Sequence, residues 1–290
     1  MVAPTPVVTA DWFAARIATL REASGRTPGE LAAALGRSAS GVRHFESSTR
    51  LVGRRYLTLV LEELGHGHLV GPYSTVIDRS RARTLWWQQI LPQVKRSEKP
   101  AELHQLELLV NFESSATAIC CYAPHTVPDL VQTPGYAEAL HRIAEPALPE
   151  LHRALLPGRR AILDQDEPPE LTVIIDESVL CREIGGPDVL TEQLARLDAL
   201  AERPGVTIRI VPSDAATGVE GNFSLLELTA ELDDDPGAVF VKTAADWVHF
   251  REPGKVARYR ARWSALLRHA LPLEQSRETI GRLLRRRHAP

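Results

Sequence analysis

A very short turn between two capped helices constrains the first quarter of this chain more than any other feature. Thr27-Pro28-Gly29-Glu30 has the form of a capping box with proline at the first helical position, and it predicts a short helix that ends at Gly36. Ser38 can cap the next helix, which we expect over residues 39–47. So short a connection makes the two helices cross steeply, in a helix-turn-helix arrangement.

Two further helices complete a predicted helical bundle. Asp11 can cap a helix over residues 11–24, in which apolar side chains recur at helical spacing. A fourth helix is expected over residues 54–64, with Gly65 as its C-terminal stop. We therefore predict an all-α helix-turn-helix domain over residues 1–70.

The short helix after the turn has one apolar and one polar side. Val42 and Phe45 are expected to face the core, and the remaining side chains point outward. Hydroxyl, guanidinium and imidazole groups suit base edges and phosphates in a major groove, although a simple solvated helix face has the same composition. The outward residues are Ser38, Ser40, Arg43 and His44.

The charge is unevenly distributed. Residues 1–100 contain 14 Lys and Arg against 8 Asp and Glu, whereas the remainder contains 20 against 29. A basic front and an acidic back favour an anionic partner for the front and a separate task for the back.

Residues 71–100 are predicted to be a basic and aromatic linker. Arg79, Arg81 and Arg83 alternate there and could lie along phosphates or face solvent. Trp86 and Trp87 follow, and adjacent tryptophans point to different sides, so we expect one to pack inward and the other to meet a second domain, a dimer mate or a ligand.

Residues 101–290 are predicted to form a mixed α/β domain, which makes the whole chain α+β. Apolar or alternating runs predict five strands, and the stretches between them have helical periodicity. The predicted strands are 118–122, 171–175, 206–211, 223–228 and 239–243, and the predicted helices are 102–115, 135–143, 148–156, 187–203, 256–270 and 274–286.

The order of residues in the front domain adds a family resemblance. Thr27 to Ala32, Leu35 to Ser38 and Val42 to Glu46 resemble the pattern T/S-x-x-E-L-A, L-G-x-S and V-S-x-x-E of phage-repressor-like (XRE-type) regulators. The resemblance implies that Ser38, Ser40, Arg43 and His44 read bases and that Glu46 is a structural acid. It also suggests three phosphate contacts, Arg26, Arg50 and Arg54.

The back domain resembles a second block of the same group of proteins. Val127 to Ala137 is similar to V-P-x-L-x-Q-T-P-x-Y-A of actinobacterial helix-turn-helix proteins with a C-terminal domain of unknown function, described as antitoxin-like regulators. The resemblance implies a DNA-binding regulator that is often encoded beside a small partner protein.

Several positions depart from these patterns. Gly41 lies inside the predicted reading helix, and Ser48 replaces the glycine that usually ends it. Asp129 stands where glycine is usual, and the loop over residues 212–222 lacks the usual histidine. A regulator scaffold that has lost DNA binding and become an enzyme or ligand-binding protein therefore remains an alternative.

Catalytic and metal motifs are sparse. The sequence has no dinucleotide-binding or Walker glycine loop, no esterase elbow and no paired ligands at zinc spacing, so we predict neither a cofactor nor a metal. The alternative is a cofactor-independent enzyme, such as a cyclase or isomerase, or a ligand-binding protein of natural-product biosynthesis. Its pocket residues would be His125, Tyr136, Asp176, Glu177, Trp247 and His249.

These observations converge on a sequence-specific transcriptional regulator. We expect a homodimer on a double-stranded DNA operator, with a small partner protein or a hydrophobic small molecule acting through the back domain. The chain shows neither a secretory signal nor a transmembrane run, and its three cysteines do not form a disulfide framework, so we predict a cytoplasmic protein without a membrane partner.

Overall fold

The computed structural model describes residues 2–46, 51–91, 100–144, 148–243 and 247–288. It divides into two compact units. The first consists of Met1–Leu85 and Leu228–Asp235, and the second of Trp86–Glu227 and Pro236–Pro290. The α+β prediction is confirmed, since helices make up the front of the chain and a mixed sheet lies in the back.

The first unit is helical. Phe13, Ile17, Leu31, Leu57 and Ile77 have almost no exposed surface and form its centre. Burial of these side chains at helical spacing, rather than intrinsic helix propensity, stabilises helices as short as these. The helices are α1 (Pro6–Ala23), α2 (Pro28–Ala34), α3 (Ala39–Glu46), α4 (Arg54–Glu63) and α5 (Val70–Arg81).

Helix α1 begins earlier than predicted. Thr5 rather than Asp11 is its N-cap, and Thr5 Oγ1 accepts a hydrogen bond from Val8 N at 3.3 Å. Pro6 occupies the first helical position, where its missing N–H has no intrahelical partner to lose. Asp11 therefore lies within the helix.

Helix α5 replaces part of the predicted linker. The chain from Val70 to Arg81 is helical and buries Tyr73, Val76, Ile77 and Ser80 within the first unit. Pro72 lies in the first turn of α5, where proline is tolerated. The prediction of a linker over residues 71–100 was therefore wrong for this helix.

A segment from far along the chain completes the first unit. Asp233 O accepts a hydrogen bond from Trp12 Nε1 at 3.0 Å, and the Asp233 carboxylate accepts one from Tyr73 Oη at 2.8 Å. Arg16 binds the carboxylates of Asp233 and Asp234 at 2.9 and 2.6 Å. Arg79 also pairs with Glu231. Residues 228–235 are thus held by α1 and α5 through a cluster of polar contacts.

The second unit is built on a six-stranded mixed sheet. Its order is β3-β2-β1-β4-β5-β6. The first three strands of this order are parallel, with Cys121 opposite Val173 and Val173 opposite Ile208, and β4 to β6 pair antiparallel. The strands are β1 (Ala116–Ala123), β2 (Glu170–Asp176), β3 (Val206–Val211), β4 (Asn222–Leu228), β5 (Ala238–Lys242) and β6 (Trp247–Phe250).

Six helices accompany the sheet. One core cluster joins Tyr122, Ile174 and Phe223 of the strands to Trp263 and Leu266 of a late helix. The helices are α6 (Pro100–Ser115), α7 (Pro134–Ala144), α8 (Pro149–Arg160), α9 (Pro187–Ala201), α10 (Pro253–His269) and α11 (Leu273–His288). All five predicted strands and all six predicted helices of this region are present, with ends shifted by a few residues.

The two adjacent tryptophans both belong to the second unit. Trp87 is 2% exposed. The Trp86 ring lies against Gly158 of α8 so closely that a Cβ at residue 158 would come within 2.3 Å of a ring atom. Trp86 therefore contacts the predicted back domain, one of the three expected partners, and both tryptophans belong to that unit rather than to a linker.

Among the residues that the structure describes, no helix is long and apolar enough to cross a membrane.

Candidate functional site

A capping box begins α2, and a glycine forms the turn that follows it. Thr27 Oγ1 accepts a hydrogen bond from Glu30 N at 3.2 Å, and Glu30 Oε2 accepts one from Thr27 N at 2.7 Å, which completes the capping box. Gly36 has a φ of 61°, a left-handed conformation that glycine adopts without steric cost. Helix α2 ends at Ala34, just before this glycine, and α3 begins at Ala39.

Helix α3 turns a polar face away from the core. Val42 is 1% exposed, and the ring of Phe45 packs edge-on against Phe13 with ring centres 5.7 Å apart. Arg43 and His44 follow Ser40 by three and four positions, so the three side chains share the exposed face. Ser38 is exposed at the start of the helix. This face carries hydroxyl, guanidinium and imidazole groups.

The local structure explains why residue 41 is a glycine. Ser38 Oγ accepts a hydrogen bond from Gly41 N at 3.1 Å and so caps α3. A Cβ at residue 41 would lie 3.1 Å from the same Ser38 oxygen, a tight approach. The glycine that departs from the family pattern therefore leaves room for the cap of its own helix.

The predicted phosphate-contact arginines have partners within the first unit. Arg26 Nη1 lies 2.5 Å from Glu63 Oε1, and Arg54 pairs with Asp78. Arg50 lies outside the described residues, as does Ser48. An anionic partner would therefore have to compete with these carboxylates for Arg26 and Arg54.

Glu46 occupies the structural position that the family resemblance implies. Arg21 donates to Glu46 Oε1 at 2.6 Å and to Oε2 at 3.1 Å, and both side chains are about one-tenth exposed. The pair ties the end of α3 to α1. The hydrogen bond with Glu46 is the main reason that the pKa of Arg21 is raised.

A second candidate site is a cavity of about 50 Å³ in the second unit, at the carboxyl end of β1. The chain leaves β1 toward β2 on one side, while β4 lies on the other side of β1. This is a topological switch point, where crevices in α/β sheets commonly bind ligands. Residues of α6, β1, the loop after β1, α8, β4 and β5 line the cavity.

Three buried charged groups form one wall of the cavity. Arg159 of α8 donates to both carboxylate oxygens of Glu113 at 2.7 and 2.8 Å, and to Asp129 Oδ2 at 3.0 Å. The side chains of Arg159, Glu113 and Asp129 are 4%, 6% and 20% exposed. Because each charge is paired and hydrogen-bonded, the cluster can remain ionised in a poorly hydrated place.

The neighbouring charges alter the acidity of the cavity groups. Burial alone would raise the pKa of Asp129, but the positive charges of Lys242 and Arg159 outweigh it and hold that pKa well below its usual range. Burial lowers the pKa of His152 to about 4, so this histidine is neutral near pH 7. Asp129 is therefore a carboxylate and His152 an uncharged ring in the folded protein.

Cys121 does not behave as a nucleophile. Burial raises the pKa of its thiol to about 12, and its Sγ lies 3.3 Å from Ser224 Oγ. A thiol in such a place stays protonated, and only the thiolate is reactive.

The six residues that sequence reasoning assigned to a pocket are not brought together. Only Trp247 lines the cavity. His125 is exposed, and Tyr136 is fully buried with its hydroxyl oxygen accepting from Val127 N at 3.2 Å. His249 Nδ1 lies 3.0 Å from Gln105 Oε1, and its ring stacks on Phe240.

The two acids at the end of β2 are structural. Asp176 Oδ1 accepts a hydrogen bond from Ser178 N at 2.9 Å and caps the short 3-10 turn that follows the strand. Glu177 accepts from Ser213 N at 3.3 Å. Neither residue lines the cavity at the end of β1.

The polar groups of the cavity were missed from the sequence. Glu113, Asp129, Arg159 and Lys242 belong to four separate segments, and no motif links them. The one available signal was Asp129, which replaces glycine in the family block. A charged residue at a position where glycine is usual indicates that another segment provides an oppositely charged side chain to pair with it, as Arg159 does for Asp129.

Residues 106–282 match the model of a family described as Domain of unknown function (DUF5753), and the match covers more than half of the chain. The chain belongs to this family. The DUF5753 segment contains all six strands and every residue named above for the cavity. No curated protein and no solved structure matches the chain.

Proposed function

We propose that this DUF5753 protein is a sequence-specific DNA-binding transcriptional regulator of the cytoplasm, related to XRE-type regulators. The single observation that supports the proposal is the outward face of α3. A capped α2, a glycine turn and a short α3 present Ser40, Arg43 and His44 together. Such side chains on the second helix of a helix-turn-helix suit the edges of bases in a major groove.

The charge distribution supports an anionic partner for the front of the chain. Residues 1–100 carry six more basic than acidic residues, although the whole chain has a net charge of -3. Phosphate contacts made by this region would release counterions from DNA. Binding should therefore weaken steeply as the salt concentration rises.

We further propose that two copies bind one operator. Helix α3 has 8 residues, and one helix of this length reaches only a few base pairs. Dimers of helix-turn-helix proteins gain specificity by reading two half-sites about 34 Å apart. The bound sequences should then be inverted repeats with this spacing.

The deciding experiment selects bound fragments from sheared genomic DNA and measures their affinity by gel shift. The double variant Arg43→Ala/His44→Ala should weaken binding to the selected operator by at least about tenfold, since a good base contact contributes about 1–3 kcal/mol. It should keep the circular dichroism spectrum of the wild type, because both side chains are exposed.

A matched control removes the same two residue types elsewhere. Arg268→Ala/His269→Ala changes two exposed neighbours on α10 and alters the net charge equally. This control should shift the operator as the wild type does. If the Arg43/His44 variant also binds as well as the wild type, α3 is not the reading helix and the proposal is wrong.

The second unit would supply the input to regulation. This input would be either a hydrophobic small molecule or a small partner protein. The antitoxin-like resemblance suggests the partner protein. Isolation of a small protein that copurifies with the chain would identify the second. The enzyme alternative draws no support from its assigned residues, because only Trp247 of the six lines the cavity.

A further inference from the structure

We propose that the cavity at the carboxyl end of β1 binds a small organic carboxylate with an apolar body, and that the Lys242 ammonium is its counter-ion. The inference deepens the proposed function, since this cavity would be the effector site of the regulator. Of the six pocket residues expected from the sequence, only Trp247 lines this cavity.

Three polar side chains of the cavity have hydrogen-bonding capacity that the described part of the protein leaves unfilled. Lys242, Asn222 and Thr126 line the cavity. All three are partly exposed, and among the described residues no side-chain hydrogen bond involves any of them. The Lys242 charge also acts on the Asp129 carboxylate, whose pKa it lowers. The Lys242 ammonium lies 5.5 Å from the centre of the Trp247 ring. An incoming ligand can therefore form hydrogen bonds with these groups without breaking a hydrogen bond within the protein.

The pairing within the cavity selects the sign of the ligand. Both oxygens of Glu113 accept from Arg159. The two oxygens of Asp129 accept from Arg159 at 3.0 Å and from Gln132 at 3.3 Å. A cationic ligand would thus find the carboxylates already occupied. An anionic oxygen would find three N–H donors on Lys242 and two on Asn222.

The remaining walls favour an apolar or aromatic body. Phe223, Phe240 and Trp247 line the same space. A volume of about 50 Å³ holds roughly three to five water-sized groups, at about 10–15 Å³ for each. The enclosed part of the ligand is then a carboxylate with its first carbons, and a larger body would extend through the open side.

The scarcity of lysine provides a direct probe. The chain has four lysines, at 95, 99, 242 and 255. Reductive methylation with ¹³C-formaldehyde keeps each lysine charged and retains one N–H on its nitrogen. It gives one carbon signal for each lysine in a heteronuclear NMR spectrum. Titration with benzoate or phenylacetate should shift the Lys242 signal, which the spectrum of Lys242→Gln assigns by its absence.

Neutral and cationic analogues test the charge argument. Benzamide and benzylamine share the aromatic ring of benzoate but not its negative charge. We expect each to bind at least about tenfold more weakly than benzoate, because a charge-assisted hydrogen bond contributes about 1.5–3 kcal/mol. Equal or tighter binding of the amide or the amine would overturn the carboxylate assignment.

Variants test the role of Lys242 without relying on the label. Lys242→Gln should weaken binding of the unmodified protein to benzoate at least about tenfold by calorimetry. Lys242→Arg keeps the charge and should stay within a few-fold of the wild type. Lys255→Gln is the matched control, because Lys255 lies on α10, pairs with Glu252 and does not line the cavity.

Each remaining outcome decides the proposal. If no carboxylate at millimolar concentration shifts the Lys242 signal, or if Lys255→Gln weakens binding as much as Lys242→Gln, the site is not a carboxylate site. A thermal unfolding curve shows whether Lys242→Gln is folded, and Lys242→Arg carries the test if it is not. No DNA is present in these measurements, so this proposal and the proposed function can fail separately.

Discussion

Arg159 shows how this fold accommodates a charge in a nearly dry place. Its guanidinium makes two hydrogen bonds to Glu113 and one to Asp129. The three side chains come from α8, α6 and the loop after β1. Removal of either carboxylate would leave the buried Arg159 cation only partly neutralised. The resulting loss of folding free energy is larger than the net stabilisation that the intact pair provides. The charges therefore fix how these segments meet at the cavity.

His152, which lies close to this cluster, should make the stability of the protein depend on pH. Its folded pKa of about 4 lies below the ordinary histidine value of about 6.5. Between about pH 4 and 6.5, His152 therefore binds a proton in the unfolded chain but not in the folded protein. The stabilising effect is complete above about pH 6.5 and is lost as the pH falls toward 4.

We expect the free energy of unfolding to fall by up to about 1.4 kcal/mol per pH unit within this window because of His152. Urea unfolding at several pH values measures the slope. The variant His152→Gln cannot take up this proton, so its slope should be smaller by about that amount. An NMR titration of the His152 ring is the independent check, and a midpoint near its ordinary value would contradict the prediction.

Helix α8 contains the glycine that a neighbouring side chain approaches most closely. It contains Pro157 and Gly158 just before Arg159, and the Trp86 ring covers Gly158. A glycine inside a helix normally lowers its stability relative to alanine. At residue 158 the Trp86 ring can approach the helix only because glycine has no Cβ. Glycine is therefore more favourable than alanine at this position.

Gly158→Ala should therefore destabilise the second unit by about 1–3 kcal/mol, because a new Cβ would come within 2.3 Å of the rigid Trp86 ring. Thermal unfolding followed by tryptophan fluorescence measures the change. Gly254→Ala is the matched control, since Gly254 lies in α10 and a Cβ there meets nothing within 4 Å. The control should be neutral or slightly stabilising, and equal effects in the two variants would refute this account of α8.

Most elements could be predicted from the sequence because their signals are local. The capping box at Thr27, the turn glycine at Gly36 and the alternating run from Val206 to Val211 each specify an element within a few residues. Helix α5 also had a readable signal, since Tyr73, Val76 and Ile77 recur at helical spacing. Gly71 and Pro72 obscured it, because these residues usually indicate a loop, whereas here they lie in the first helical turn.

The cavity could not be predicted in the same way. Glu113 and Arg159 are 46 residues apart, and Lys242 is contributed by the fifth strand. Only the arrangement of the sheet brings them together, and no local spacing encodes that arrangement. The outward polar face of α3 is the opposite case, because one short helix carries Ser40, Arg43 and His44.

At the scale of the whole molecule, the helical unit is discontinuous in sequence. Leu228–Asp235 leaves β4 and returns to β5, yet it belongs to the first unit. Within that unit, Asp233 accepts hydrogen bonds from Tyr73 and Arg16. Burial, together with the hydrogen bond to Asp233, raises the pKa of Tyr73 to about 12, so this hydroxyl remains a donor throughout the physiological range.

Asp233→Ala should loosen the first unit. The variant loses the acceptor for Tyr73 and one partner of Arg16, which we expect to destabilise α1 and α5 by about 1–2 kcal/mol. Hydrogen exchange by mass spectrometry should show amides of α1 and α5 exchanging roughly tenfold faster. This local measurement is suitable because a chain of two units need not unfold in one step.

Asp234→Asn provides the comparison, because asparagine removes the charge and tolerates the left-handed backbone of this residue (φ 57°). Asp234 also pairs with Arg16, but its side chain is 75% exposed, and an exposed ion pair contributes about 0–1 kcal/mol. Exchange in α1 and α5 should therefore change little in this variant. Equal acceleration by the two substitutions would mean that net charge, rather than the bonds of Asp233, holds the segment.

Because the first unit is discontinuous in sequence, its last segment is synthesised long after its N-terminal helices. Trp12 leaves the ribosome 221 residues before the carbonyl group that it binds. At about 5–20 residues per second, this separation corresponds to roughly 10–40 seconds. Throughout that time the N-terminal helices of the nascent chain lack their last segment, and Trp12, Tyr73 and Arg16 lack their contacts with Asp233. A gene fragment that stops after the first 85 codons would leave its product in this unfinished condition permanently.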